Sequence, residues 1–427
     1  MAEKEKLTTT RKKHPSSIQE VPVENPKIVW ILFSLLILVV LIIRMNFLSI
    51  PFERDDGAYN YFGQLVLDGK IHYLDFYETK PPGTFYCYAF IISLFGPTLE
   101  GSHIGFLLIN LLSVFFVFRS GALIFKGPIG LVVVTAFAFL PMNPYLSGFT
   151  TQSEHIVTLF VTSGLFVLLK GLQRESRTYY FFSGVLFCAA LLVKQNGVFS
   201  AFFGGLAVTS YHLLLGENRN WKKVVGSGLI YSAGVIIPFV LTLILMSMNS
   251  ALDEFIYWIY NHAKDHYGAS KEWKPTGKRM LNSTWTRISE NHYLLFLLAI
   301  FGFVATAFTK LNLHRKSMIL CFSVLSFVAI TPGLRFYGHY WILLMPAVAF
   351  LVGVAVLFCN EQLQKFTHGK TTSTLALWIF VIAFMHHLVK IQGDDKIKNY
   401  YTHPNSMNIS RNVYGLNPFP RQKIVGD

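Results

Sequence analysis

The run VWILFSLLILVVLII at residues 29–43 decides the fold class. It contains no charged residue, and with its flanks it reaches the roughly 18–20 apolar residues that a helix needs to cross a bilayer. Residues 226–246 form a second run that is equally free of a polar face, whereas the helices of a soluble protein would carry one. Backbone polar groups in lipid have to be satisfied within the segment, so these runs predict membrane-spanning α-helices.

The composition of the whole chain agrees with a membrane protein. Of its 427 residues, 52% are hydrophobic and only 14% are charged, whereas a typical soluble domain carries about 25% charged residues. The formal net charge is +14. Its excess lies in the N-terminal stretch and in alternate loops, which indicates a topology signal, so no nucleic-acid partner is expected. The cysteines form no CxxC pair and are predicted to be buried free thiols: Cys87, Cys188, Cys321 and Cys359.

The pattern of apolar runs predicts an all-α polytopic membrane protein with about eleven transmembrane helices. The predicted crossings cover residues 27–49, 103–125, 128–146, 154–170, 178–193, 196–215, 224–247, 292–309, 317–331, 339–358 and 373–390. Residues 1–27 are charged and lack an apolar period, so we predict a disordered cytoplasmic tail without a cleaved signal peptide. The apolar stretch 83–95 is short for a crossing, and we predict an interfacial or re-entrant helix there.

The basic residues choose the orientation of these helices. With the N-terminus in the cytoplasm, the predicted inner loops are rich in lysine and arginine, and the short outer loops hold far fewer, as the positive-inside rule requires. Counting residues 83–95 as a crossing would invert every later loop. The same orientation makes residues 51–102 and 249–291 long outer loops. We therefore divide the chain into the tail 1–27, a transmembrane catalytic module 28–358, and a terminal span with an outer tail, 359–427.

The stretch RDDGAY at residues 54–59 follows the first crossing and carries two adjacent carboxylates. Charged groups at a membrane boundary are expensive, which favours a functional role. Neighbouring residues on a helix point about 100° apart, so only one of Asp55 and Asp56 is expected to face a shared cavity. That carboxylate could accept a proton from an attacking hydroxyl or bind a hard divalent cation. The structural alternative is that either aspartate caps a helix that starts near Gly57.

Two further charged residues open predicted helices on the same outer side. Lys80 precedes two prolines and lies near the N-terminus of helix 83–95, where its ammonium and free backbone N–H groups could hold a lipid phosphate. Glu154 opens the crossing 154–170 and could be a second carboxylate that faces Asp55. The structural alternatives are a lysine that snorkels to water and an acid that complements the helix dipole.

Lys194 and Arg335 are exceptions to the positive-inside rule, because both lie at outer boundaries. A cation in that place needs a partner, and a phosphate or a carboxylate would serve. An arginine can grip a phosphate through two parallel hydrogen bonds. His339 could hydrogen-bond a leaving phosphate or a sugar hydroxyl. The alternatives are plain snorkelling of Lys194 and a structural role for His339.

Acids and cations that meet at one membrane face suit chemistry on a phosphate-bearing lipid with a polar co-substrate. The sequence has no GxxxxGK[ST] motif, so no nucleotide cofactor is expected, and it has no HExxH zinc motif. If a divalent cation binds, Asp55 and Glu154 are the candidate ligands. Their oxygen donors favour Mg²⁺ or Mn²⁺.

The first outer loop resembles that of GT-C fold glycosyltransferases, specifically bacterial members related to protein O-mannosyltransferases and to the lipid A aminoarabinose transferase. The likeness rests on RDDGAY at 54–59, GKI at 69–71, YLD at 73–75 and KPPG at 80–83, and it extends loosely over residues 28–358. It implies an outer-facing cavity, juxtamembrane helices in the first loop and a polyprenyl-phosphate-linked sugar donor. One departure is Asp56, because relatives often carry glutamate at that position.

By this resemblance the catalytic candidates are Asp55, Asp56 and Glu154, and the donor phosphate-binding candidates are Lys80, Lys194, Arg335 and His339. The predicted function is transfer of a sugar, with inversion, from the lipid-linked donor to a hydroxyl of a glycan, lipid or protein acceptor. The reaction is expected on the outer face of a bacterial inner membrane. The alternative is a flippase or transporter of lipid-linked sugars, which mid-span charges and inverted repeats would favour; the sequence presents neither. A catalytically inactive scaffold is the third reading.

Overall fold

The computed structural model describes residues 26–125, 128–214, 221–262, 264, 273–366, 372–395 and 397–398. Helices dominate these residues, and the one bridge between extended segments within them joins His72 and Phe76. The predicted all-α class is therefore confirmed. The predicted tail 1–27, most of the outer C-terminal tail and part of the loop 249–291 lie outside the described residues.

Each predicted crossing corresponds to one helix in the described ranges. In chain order the helices are α1 (Pro26–Met45), α2 (Arg54–Leu67), α3 (Gly83–Phe95), α4 (Leu99–Ile124), α5 (Ile129–Phe139), α6 (Ser153–Arg174), α7 (Arg177–Val193), α8 (Val198–Leu214), α9 (Trp221–Met248), α10 (Leu252–Ile256), α11 (Trp273–Ala305), α12 (Leu313–Ala329), α13 (Met345–Phe366) and α14 (Thr372–Gln392). Of the helices described, 8 are long and apolar enough to cross a membrane. The helical character of the predicted spans is confirmed, and their number as crossings stays a prediction.

Helix α5 differs most from its predicted span, 128–146. Its 11 residues rise about 16 Å, far less than the roughly 30 Å of bilayer hydrocarbon. The helix ends before Pro141, and apart from one 3-10 turn the backbone is irregular up to Gln152. Gly148 permits this course, because a Cβ there would lie 1.4 Å from the Pro141 carbonyl oxygen. Irregular backbone at membrane depth is tolerated where protein buries it, and nearly all of these residues are buried.

The first loop contains the two helices α2 and α3, and α3 has the bounds predicted for the non-spanning helix. Its 13 residues bury one face and expose Tyr86, Phe90 and Leu94 on the other. Residues four apart share one face of a helix, so these side chains form an apolar stripe. A short helix with such a stripe suits a bilayer interface.

The helices differ strongly in how much of their surface the protein covers. The segment that contains α13 is 83% buried over its most apolar window, whereas α1 and α9 are each 17% buried. Helix α13 is thus the centre of the bundle, and α1 and α9 lie at its periphery. It also runs without a break through the predicted domain boundary after residue 358. The four cysteines are free thiols, as predicted, but of the four only Cys188 is buried, although all were expected to be.

Candidate active site

Two buried charges meet where α6 begins and α7 ends. Glu154 lies in the first turn of α6, and Lys194 follows the last residue of α7 with an extended backbone. The Lys194 ammonium donates a hydrogen bond to Glu154 Oε1, and both side chains are almost fully buried. A buried ion needs such a partner, because it has lost its hydration. Two candidate residues from distant parts of the sequence are therefore direct partners.

The 3-10 helix Gly338–Leu344 brings two more side chains to this ion pair. His339 Nε2 lies 3.8 Å from Glu154 Oε1. The Lys194 ammonium lies 4.0 Å from the centre of the Tyr340 ring, a distance at which the negative face of an aromatic ring stabilises a cation. Glu154 is therefore enclosed by two basic side chains from different segments.

The segment that carries Lys80 docks onto the same end of α7. The Thr84 hydroxyl donates a hydrogen bond to the Val193 carbonyl oxygen. The Gln195 amide donates a hydrogen bond to the Thr79 carbonyl oxygen. These two contacts hold the backbone on both sides of Lys80, so the lysine is fixed next to the segment that carries Lys194.

The Lys80 ammonium itself lies between an acid and an aromatic ring of the first loop. It is 3.9 Å from the Glu78 carboxylate and 5.8 Å from the centre of the Tyr59 ring. Its side chain is mostly buried, and it precedes the N-terminus of α3. A cation beside a helix N-terminus is a favourable place for an anion, because free backbone N–H groups add to its charge.

The two adjacent aspartates at the start of α2 have different surroundings. Asp56 is fully buried, and its Oδ2 accepts hydrogen bonds from the Glu53 N–H at 3.4 Å and the Thr151 N–H at 3.3 Å. Asp55 is only partly buried, and its Oδ1 lies 3.0 Å from the Arg54 guanidinium. Asp56 thus ties α2 to the segment before α6, whereas the Asp55 carboxylate stays accessible.

Burial raises the pKa of the Asp56 carboxyl well above its ordinary value, and the nearby Glu53 and Asp55 carboxylates raise it further. The two backbone N–H donors act in the opposite direction but are outweighed. The surroundings of Asp56 therefore favour the neutral acid. A neutral carboxyl that already accepts two hydrogen bonds is poorly suited to take a proton from a substrate.

The pKa of the Tyr59 phenol is affected by acids from two segments of the chain. Burial raises its pKa well above the ordinary value, and three carboxylates act in the same direction: Asp55, Glu78 and Glu154. The backbone agrees, because the Thr151 N–H, just before α6, donates a hydrogen bond to Asp56, the residue after Asp55. The structure thus brings Asp55 and Glu154 to the same end of the bundle.

The turn that leads into the 3-10 helix has a strained backbone. Leu334 and Phe336 each have a φ of 46°, a left-handed conformation that residues other than glycine rarely adopt. Arg335 lies between them. Gly338 ends the turn, and a Cβ there would lie 1.8 Å from the Tyr145 carbonyl oxygen. Strain of this kind clusters at functional sites, and the role of Arg335 in phosphate binding stays a prediction.

In the described parts of the chain, no three His, Cys, Asp or Glu side chains cluster so as to hold a metal ion. Glu154 is already engaged by Lys194. Binding of Mg²⁺ or Mn²⁺ by Asp55 and Glu154 therefore stays a prediction.

Some contributors to the site were not predicted from the sequence. The residue that caps α2 is Glu53 rather than an aspartate, and the helix begins at Arg54 rather than near Gly57. The signal for this was present, because Glu53 and Asp56 have the spacing of a capping box. The aromatic partners of the two lysines carry no local signal: Tyr59 and Tyr340.

An apolar cleft of about 540 Å³ opens beside the 3-10 helix, between α11, α12 and α13. Trp341 lines it two residues after His339, and its ring lies 6.0 Å from that of Trp285. Ile300 and Phe327 also line the cleft and are strongly exposed. The cleft is therefore open along the apolar flank of the bundle.

A sequence profile described as dolichyl-phosphate-mannose-protein mannosyltransferase matches residues 79–246, which is less than half of the chain. No curated protein sequence matches. Among solved structures, an oligosaccharyltransferase of Archaeoglobus fulgidus tethered to an acceptor peptide with an NVT sequon has a TM-score of 0.56 at 12% identity. The match covers 90% of this chain and 59% of the oligosaccharyltransferase chain. This chain thus spans about three fifths of that relative.

Two further structures were determined with lipid phosphates. One is the oligosaccharyltransferase AglB from Archaeoglobus fulgidus, in complex with an inhibitory peptide and a dolichol-phosphate. It has a TM-score of 0.53 at 12% identity, and the match covers 86% of this chain and 55% of the AglB chain. ArnT from Cupriavidus metallidurans, bound to undecaprenyl phosphate, has a TM-score of 0.56 at 14% identity. The match covers 92% of this chain and 75% of the ArnT chain. A related oligosaccharyltransferase structure contains Zn and sulfate. At these identities the likeness shows a common fold.

Proposed function

We propose that this chain, a polytopic membrane protein with the GT-C fold of membrane glycosyltransferases, transfers a sugar from a polyprenyl-phosphate-linked donor to an acceptor hydroxyl. One observation carries the proposal. At one end of the bundle, the segment of the partly exposed Asp55 contacts the segment that precedes the buried acid Glu154, and Glu154 pairs with Lys194. The segment of Lys80 docks beside Lys194. The reaction needs both a base for the acceptor and cations for the leaving phosphate.

Asp55 is the proposed base. Its carboxylate is accessible, whereas Asp56 is buried and bound to backbone N–H groups. The acceptor oxygen attacks the anomeric carbon while the bond between that carbon and the phosphate oxygen breaks. The hydroxyl proton passes to Asp55, and the electron pair leaves with the lipid phosphate. Attack opposite to the leaving group inverts the anomeric carbon.

The leaving phosphate is the proposed ligand of Lys80, aided by Lys194, Arg335 and His339. Lys80 has the N-terminus of α3 beside it, so backbone N–H groups add to its charge. The charge of Lys194 is neutralised by Glu154. We therefore propose that its ammonium donates one hydrogen bond to the phosphate, while Lys80 supplies the charge that binds it. Displacement of the His339 side chain toward the phosphate would leave that ion pair intact.

The apolar cleft beside Trp341 supports a donor with a long isoprenoid chain, since it opens along the apolar flank of the bundle and Trp341 follows His339 by two residues. The stripe on α3 supports a position of the first loop at the bilayer surface. We further propose that the N-terminus is cytoplasmic and the site lies on the outer face of a bacterial inner membrane. The distribution of basic residues supports that orientation.

The substitution Asp55→Asn tests the proposal. In a deletion strain complemented with the variant, mass spectrometry of surface glycans, glycolipids and glycoproteins should find the product reduced by about 10²–10⁴-fold. Membrane insertion and the unfolding temperature should be unchanged, because an amide has nearly the shape of the carboxylate.

Asp68→Asn is the matched control. Asp68 lies at the other end of α2 and is exposed, and its side chain accepts a hydrogen bond only from the Gln64 amide among the contacts described, so this variant should restore the product fully. Full restoration by Asp55→Asn would remove Asp55 from the reaction. Uptake of a lipid-linked sugar by sealed vesicles without a covalent product would favour the transporter instead.

A further inference from the structure

A small polar cavity lies at the end of α1, and Phe149 and Thr150 form part of its wall. Its volume is about 10 Å³, room for about one water-sized particle, and Arg44, His103, Asn110 and Thr150 contribute polar groups to its wall. The rest of the wall is apolar, and almost every lining residue is buried. None of these four residues belongs to the proposed glycosyl-transfer site.

Arg44 is a buried cation whose charge has no counter-ion in the described residues. Only 7% of it is exposed. Its Nη1 donates a hydrogen bond to the Gly148 carbonyl oxygen at 2.9 Å, and its guanidinium lies 5.9 Å from the centre of the Phe149 ring. No group in the described parts of the chain accepts a hydrogen bond from its Nε–H. A buried charge that nothing neutralises is strongly unfavourable, and guanidinium does not lose its proton in proteins.

The other polar groups of the wall cannot neutralise this charge. The Asn110 amide donates to the Phe106 carbonyl oxygen of its own helix. His103 Nδ1 lies 2.8 Å from the Leu99 carbonyl oxygen, so that nitrogen carries a hydrogen, and an imidazole has no negative charge to offer. His155 also lies near the guanidinium, but an imidazole carries no negative charge.

We propose that this cavity binds one small inorganic anion, chloride or an ion of similar size, against the Arg44 guanidinium. Such an ion would neutralise the buried charge and accept a hydrogen bond from the unpaired Nε–H. A lipid headgroup or a sugar phosphate would not reach Arg44 through a wall this closely buried. The anion would also hold the turn around Gly148, which leads directly to the segment that anchors Asp56 and begins α6.

The test is the unfolding temperature of the purified protein in chloride, in bromide and in gluconate at one ionic strength. Chloride and bromide should raise it over gluconate by on the order of 2 °C or more at saturation, because a ligand that binds only the folded state stabilises it. Crystals grown in bromide should give an anomalous peak within hydrogen-bond distance of the Arg44 guanidinium.

The substitution Arg44→Met should abolish the difference between halide and gluconate. Arg119→Met is the matched control, since Arg119 lies on α4 against the rings of Trp30 and Phe166 and lines no part of this cavity. It should keep the full difference. If Arg44→Met does not fold, the presence or absence of the bromide peak in wild-type crystals decides whether the anion site exists. An equal response to all three anions, an undiminished response in Arg44→Met, or a wild-type crystal without a bromide peak at Arg44 would overturn the proposal.

Discussion

Helix α6 has an acid at each end, and each acid pairs with a lysine of a neighbouring segment. At the start, Glu154 and Lys194 are 1% and 5% exposed. Just past the end, Glu175 and Lys223 are 41% and 47% exposed. The residue types and the hydrogen bond are the same, so the difference between the two pairs isolates the effect of burial.

An exposed pair of this kind contributes about 0–1 kcal/mol to stability, because water solvates both partners when the pair opens. A buried pair is different, since its desolvation can exceed the attraction between the charges. Well-packed apolar residues would often stabilise the same place equally well. The pair Glu154–Lys194 is therefore better explained by the chemistry of the site than by stability.

The largest expected effect follows from breaking the buried pair. Lys194→Met leaves the Glu154 carboxylate buried with His339 as the remaining basic neighbour, so we expect a loss of about 3–5 kcal/mol of stability. Thermal unfolding in detergent measures it. Product formation should fall as well, because a cation has left the donor phosphate region.

The double variant Glu154→Gln with Lys194→Met separates the two effects. It removes both charges, so much of the lost stability should return, while product formation stays low. If the double variant is as unstable as Lys194→Met, the destabilisation came from lost packing rather than from an unpaired charge. If it regains activity, the pair has no part in the reaction.

The sequence predicted the helices well because membrane burial imposes a signal on every residue of a span. Helix α3 has the bounds predicted for a non-spanning helix, since its length is a property of the chain alone. Helix α5 is shorter than predicted, because an apolar run cannot distinguish helix from buried irregular backbone. Helix α5 ends just before Pro141, which has no backbone N–H with which to continue it, and the chain then turns so that Gly148 packs against the Pro141 carbonyl oxygen.

The candidate site was only partly predictable, for a related reason. Its charges could be named because an ionisable residue at a membrane boundary stands out. The partners could not be named, since Lys194 and Glu154 are brought together by the packing of α6 against α7. The different surroundings of Asp55 and Asp56 also depend on Thr151, which is distant in sequence. Its backbone N–H donates a hydrogen bond to Asp56 only.

A smaller effect should distinguish these two aspartates by pH. The folded-state pKa of Asp56 is raised by burial, so its contribution to stability is fully present below its ordinary pKa and is lost as the pH rises through the folded value. Asp56→Asn resembles the neutral acid and should remove this loss. The unfolding temperature of the wild type should therefore decline relative to Asp56→Asn as the pH rises above about 4.

Asp55→Asn serves as the control for that titration, since Asp55 is partly exposed and paired with Arg54. Its unfolding temperature should follow the wild-type curve more closely than that of Asp56→Asn. Parallel curves for the wild type and Asp56→Asn would mean that Asp56 is ionised in the folded protein.

The smallest effect is expected at the opposite end of α6, where Lys223→Met makes the same substitution as Lys194→Met. The Glu175 carboxylate that remains is 41% exposed and retains water, so stability should fall by no more than about 1 kcal/mol. The loss should shrink further in high salt, because salt screens exposed charges. Product formation should not change. Equal losses for the two methionine variants would mean that water reaches Glu154 as freely as Glu175, and the enclosed site from which the transferase proposal proceeds would not exist.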